Sequence, residues 1–99
     1  MTQQEQIKHF EAITSQMKQI LFKKGNDYAN DDRLSNFKLA GAICGLTAER
    51  NCLSLIATKV ARLGVLLNTE NKPNNESIHD SIVDLANYSV LLSMIMADK

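Results

Sequence analysis

Proline occurs once, at Pro73, and glycine four times in 99 residues, so little in the chain interrupts a helix. Cysteine is nearly as scarce. Cys44 and Cys52 stand alone, with no CxxC pair and no histidine at ligand spacing, which excludes a disulfide framework and a zinc site. Both read as reduced thiols used for packing rather than for nucleophilic catalysis. Net charge is absent too, since 11 Lys+Arg balance 11 Asp+Glu. That excludes a generally basic nucleic-acid coat, and no direct DNA binding is expected. The opening MTQQEQIKHFEAI lacks the basic-then-apolar order of a secretory leader. The longest apolar stretch, residues 89–97, falls short of the roughly 20 needed to span a bilayer. A cytoplasmic protein without membrane contact is therefore expected. No glycine-rich phosphate loop or nucleophile elbow is present. Asn30, Asp31 and Asp32 lack the glycine and glutamate of an EF-hand loop. His9 and His79 read as exposed surface histidines.

What is present is helical spacing. The 44% hydrophobic share suits one small globular domain covering residues 1–99. Thr2 and Glu5 form a Thr-x-x-Glu box at the start of a first helix, with Phe10, Ile13, Met17 and Ile20 as its apolar stripe and Gly25 as its stop. Residues 25–33 read as a polar loop, and 34–43 as a short helix. A third helix, capped by Thr47, runs to about Asn68 with the seam Leu53, Ile56, Val60, Leu63 and Leu67. A second loop, 69–75, leads to a last helix capped by Asn75. That helix carries Ile78, Ile82, Leu85, Leu92 and Met96 on one side, and Val83, Ala86, Val90, Leu91 and Ile95 on others. The fold expected is all-α: three long helices and a short one in a small bundle. A helix apolar nearly all round needs more cover than so short a chain supplies. A homo-oligomer built around the last helix is therefore expected.

The polar residues beside these seams are the candidates for chemistry. Lys59 and Arg62 lie on the stripe Cys52-Leu55-Lys59-Arg62-Leu66, next to the core seam. Glu76, Asp80 and Asp84 recur every four residues on the last helix, with Asn87 and Tyr88 on the same face. Like charges at that spacing call for a cation, a metal or a ligand. Two arrangements satisfy the pattern. Either the basic pair neutralises Asp80 and Asp84 across a helix pair, or a divalent cation sits on the carboxylates while Lys59 and Arg62 hold phosphate oxygens. Residues 23–28 (KKGNDY) add Lys24, Asp27 and the aromatic ring of Tyr28, suited to stacking on a base.

Together, Lys24-Gly25-Asn26-Asp27-Tyr28, Leu34-Ser35-Asn36-Phe37, Lys59-x-x-Arg62-Leu63 and Glu76-Ser77-x-x-Asp80-x-x-x-Asp84-Leu85-x-Asn87-Tyr88 resemble the nucleotide-modification-associated helical domain of phages and prophages. The likeness spans about residues 24–92 and implies nucleotide metabolism in a phage setting. A more distant likeness is to the MazG-like all-α nucleoside triphosphate pyrophosphatases, oligomers that hold magnesium on two acidic pairs. Glu76, Asp80 and Asp84 resemble the second pair, whereas Lys59-x-x-Arg62 stands where the first would be. A two-metal hydrolase needs those carboxylates; bases there suit phosphate binding instead.

The leading expectation is a small phage or prophage protein that binds a nucleotide at a subunit interface without turning it over. Lys59, Arg62 and Lys24 would meet phosphates, Tyr28 or Phe37 would stack on the base, and Asp27, Asn36 or Asp84 would accept hydrogen bonds, with Tyr88 alongside. Sequestering a cyclic nucleotide signal of anti-phage immunity, an anti-defence role, is one use for such a binder. The alternatives are a Mg²⁺-dependent nucleotide pyrophosphatase using Glu76, Asp80 and Asp84, and a protein–protein adaptor.

Overall fold

A computed structural model describes residues 1–26, 32–68 and 75–99, with the side chains of 24–26, 75 and 76 left aside. Regular structure among these residues is entirely α-helical: α1 Gln3–Asn26, α2 Ser35–Ile43, α3 Ala48–Leu67 and α4 Asn75–Ala97. The Thr2 hydroxyl accepts from the Glu5 amide at 3.2 Å, and the Thr47 hydroxyl from the Arg50 amide at 3.3 Å. Each satisfies a donor that the first helical turn leaves free. Two expected boundaries move. Gly25 lies inside α1 rather than ending it, and Asn75 is the first residue of α4 rather than its cap.

The short α2 is defined by its ends. Asp32 starts it, its Oδ1 accepting from the Leu34 amide at 3.0 Å. Gly45 stops it in the left-handed region, φ 72°, which costs a residue without Cβ little. The Leu46 amide then reaches back to the Gly41 carbonyl at 2.7 Å, the pattern of a Schellman stop.

α4 is the central element, packing most extensively on α3 along one side and on α1 along the other, while α2 packs on α3. Asn87 Nδ2 donates to the Met17 carbonyl at 3.1 Å, and His79 Nε2 lies 2.7 Å from Gln16 Oε1. These two contacts latch α1 to α4, so His79 is a half-buried link and not the surface histidine expected. On the other side the Cys52 thiol donates to the Tyr88 carbonyl at 3.4 Å. Leu34, Phe37, Cys52 and Ile95 form the core, with Leu55, Ile56, Tyr88, Leu91 and Leu92 packed around it. Lys38 bonds Asp32 at 2.7 Å and Asp98 at 3.2 Å, and Lys99 bonds Glu49 at 2.7 Å. Both lysines tie the C-terminus back to α2 and α3.

The expected α3 seam splits between two faces. Ile56 and Leu63 turn inward, whereas Leu53, Val60 and Leu67 are 56%, 52% and 66% exposed. From Cys52 onward the less exposed residues of α3 are Cys52, Leu55, Ile56, Lys59, Leu63 and Leu66, roughly the stripe placed beside the core from sequence. The expected stripes of α1 and α4 are also part bare: Phe10, Ile82 and Met96 are exposed, and Val83 and Ile95 are the buried apolar residues of α4. By length and composition α4 could cross a membrane, with a mean hydropathy of 1.2 over Ser77–Ala97. That window also contains His79, Asp80, Asp84 and Asn87, costly groups in hydrocarbon.

Candidate functional site

α1 and α3 both pack on α4, and α2 packs on α3, so residues from all four helices border one concave space. The result is a cavity of about 360 Å³, at the small end of the range for small-molecule sites. Its walls are apolar: Ile20 and Leu21 from α1, Leu55 from α3, and Leu91 and Met94 from α4. Three aromatic rings, Phe22, Phe37 and Tyr88, and the polar groups Asn36, Asp84, Asn87 and Arg33 converge on this space.

The positions follow from helical register. Asp84, Asn87, Tyr88 and Leu91 recur at three-four spacing and share one face of α4. Asn36 and Phe37 enter in the first turn of α2, where the Asp32 turn sets the approach of the chain. Asn51 Nδ2, donating to the Phe37 carbonyl at 3.3 Å, ties this turn to α3.

Electrostatics divides the cavity into a neutralised floor and a cationic mouth. The Asp84 carboxylate meets Lys59 Nζ at 3.0 Å, both side chains 24% exposed. Lys59 therefore neutralises Asp84 across the α3–α4 pair, as the first of the two arrangements read from sequence has it. Arg33 sits over the Phe22 ring, 5.9 Å from its centroid, in range for a cation–π contact. It is exposed, and no ion pair is formed by it among the described residues. Nearby, the Lys38 ammonium bonds the Asp32 carboxylate and holds it below the usual carboxylate range. The same contact, with Asp98, raises Lys38.

Of the residues nominated from sequence, Asn36, Phe37, Asp84 and Tyr88 come together here. Lys59 joins through its ion pair. Arg62 does not, being exposed on α3, and Asp80 is exposed on α4. Asp27 and Tyr28 lie outside the described residues, as do the side chains of Lys24 and Glu76. No three His, Cys, Asp or Glu side chains converge as a metal site among the described residues, and the Asp80–Asp84 pair is divided between solvent and Lys59. Sequence reasoning missed Arg33, Phe22 and a lining role for Asn87. The available signal for Arg33 was its place as the cation that ends a polar segment, directly before Leu34 and the start of α2 at Ser35.

No protein-family model, no curated protein and no solved structure matches the chain.

Proposed function

We propose that the chain is a nucleotide-binding protein that holds its ligand in the cavity between α1, α2 and α4 and releases it unchanged. The observation that carries this reading is the convergence of three aromatic rings and the exposed Arg33 guanidinium on a concave apolar space. Rings take a base by stacking. Asn36 offers both a donor and an acceptor to a base edge, and Asp84 offers acceptors to ribose hydroxyls while Lys59 holds it in place. The Arg33 guanidinium at the mouth suits a phosphate, which it can meet through two parallel N–H groups. Phosphate recognition thus passes to Arg33 from Lys59 and Arg62. The resemblance of residues 24–92 to the phage domain points to the same broad ligand class, nucleotides, and sequestering a cyclic nucleotide signal is one use such a binder would have. Binding without turnover is supported by the Asp84–Lys59 pair, because a carboxylate neutralised by lysine is a poor ligand for magnesium.

The test incubates the purified chain with Mg²⁺ and a panel of nucleoside triphosphates, deoxynucleotides and cyclic nucleotides. Unbound material is removed, the protein is denatured by heat, and both fractions are separated by anion exchange. A nucleotide depleted from solution and released intact is the expected result, with at least tenfold weaker binding in Arg33→Ala. A new product peak would establish the pyrophosphatase instead, and an unchanged panel would leave the adaptor.

A further inference from the structure

We propose that a second copy of this chain packs on the face of α3 and α4 opposite α2 and the cavity. Leu53, Ala57, Val60, Gly64 and Leu67 follow one another at four-three-four-three spacing, the period of a helix seam. All five are exposed. In an antiparallel helix pair, residues turned the same angular distance from the contact line emerge on the same side. Leu55 of α3 and Leu91 of α4 emerge together on the cavity side. By the same register, the Leu53–Val60–Leu67 stripe and the exposed Ile82, Ser89, Ser93 and Met96 of α4 emerge together on the other.

Three observations commit this face to a second copy. First, it carries no charge over nearly four turns of α3, and its small residues allow close helix approach. A methyl group added at Gly64 would meet no atom within 4 Å. Second, the chain exposes 7407 Å², against roughly 5,600 Å² for a compact monomer of 11.0 kDa. The excess of roughly 1,800 Å² comfortably covers the approximately 800 Å² that each partner gives up in a standard interface. The radius of gyration, 15.5 Å, likewise exceeds the approximately 13 Å of a compact chain this long. Third, three helices abreast with α2 on one face make a bundle that lacks half of its second layer. Helical domains bury such a face against another element, and a copy related by a two-fold axis supplies a self-complementary one. A lipid surface fits less well, because interfacial helices carry basic residues along the polar face. Within the stripe itself, from Leu53 to Leu67, no basic residue is present, Arg50 one turn earlier is a single cation at its end, and the chain contains no Trp. This inference stands independently of the ligand reading, because the two faces are opposite.

The experiment is light scattering on the full chain after gel filtration, from 1 to 100 µM. Twice the 11.0 kDa chain mass is expected, and the single-chain mass throughout overturns the proposal. Val60→Glu should halve the mass with helicity retained by circular dichroism, whereas Phe10→Glu on α1 should leave it unchanged. A folded Val60→Glu chain of undiminished mass, or a loss confined to Phe10→Glu, overturns this face as the interface. Should Val60→Glu unfold, the single substitutions Leu53→Cys, Val60→Cys and Leu67→Cys, each in a Cys44→Ser background, are treated with a short bis-maleimide. Buried Cys52 stays out of reach of the reagent. A covalent dimer from any of the three supports the proposal; none from all three overturns it. Flotation of a monomeric chain with vesicles of neutral and anionic phospholipid would also overturn it, in favour of a membrane.

Discussion

On the side of α3 and α4 that α2 covers, Leu55, Tyr88, Leu91 and Ile95 close around Leu34 and Phe37; on the other side Leu53, Val60, Leu67 and Ile82 touch little of their own chain. Residues of the same type, one helix face apart, are core in one place and surface in the other. A helix does not bury a residue because it is apolar. It buries the residue that another element happens to face, and nine residues of α2 can cover one side of a pair but not two. The covered side keeps a cavity and the cation Arg33; the bare stripe from Leu53 to Leu67 carries no charge. The proposed ligand site and the proposed partner face therefore fall on opposite surfaces.

The largest contrast between the faces should come from truncation. Phe37→Ala should lower stability by about 3–5 kcal/mol, as for a buried aromatic, by an amount that does not change with protein concentration. Leu53→Ala should have an effect that grows with concentration, because its loss is felt only when a second chain covers it. Urea unfolding of both variants at two concentrations checks this, and matching concentration dependence would erase the distinction. Next is the latch to α1. Asn87→Ala removes the donor to the Met17 carbonyl and should cost about 1–2 kcal/mol, seen as faster amide exchange across residues 13–21 and slower change in α3. Smaller again is the cavity floor. Lys59→Met and Asp84→Asn, alone and together, should give a coupling of about 0.5–1 kcal/mol for this half-exposed pair.

The smallest effect at neutral pH belongs to Cys52, and it grows only in base. Burial pushes the Cys52 thiol above its ordinary value of 9.0. The folded chain thus keeps this proton when the unfolded chain has lost it. The resulting stability is complete below that ordinary value and is lost as pH rises through the folded one. Urea midpoints between pH 8 and 10.5 should fall in the native chain and fall less steeply in Cys52→Ala, whose overall stability is lower. On the acid side the paired Asp32 and Glu49, both held below their ordinary values by lysine hydrogen bonds, act in the opposite sense. Their contribution is present above those values and is lost as pH falls, faintly, since both pairs are exposed.

Much of this architecture was legible because helices are local. Thr2 and Thr47 cap where their sequence places them, and the 34–43 and 47–68 segments become α2 and α3 within a residue or so. The end of α1 was misread because glycine weakens a helix without forbidding it, so Gly25 passes inside. In the site, Asn36, Phe37, Asp84 and Tyr88 were visible as polar or aromatic residues flanking apolar seams. Arg33 and Phe22 were not, since each is unremarkable on its own element and their meeting depends on where the end of α1 falls against the start of α2.

The sequence by itself determined an all-α chain, its element order and the close succession of Asp84, Asn87 and Tyr88 on one helix face, because spacing and capping act over four residues. The tertiary structure alone decided which apolar face of α3 is inside, that Lys59 is taken by Asp84, and that Arg33 borders the cavity over Phe22. Those outcomes depend on the angle at which one helix meets another, and no local spacing encodes that angle.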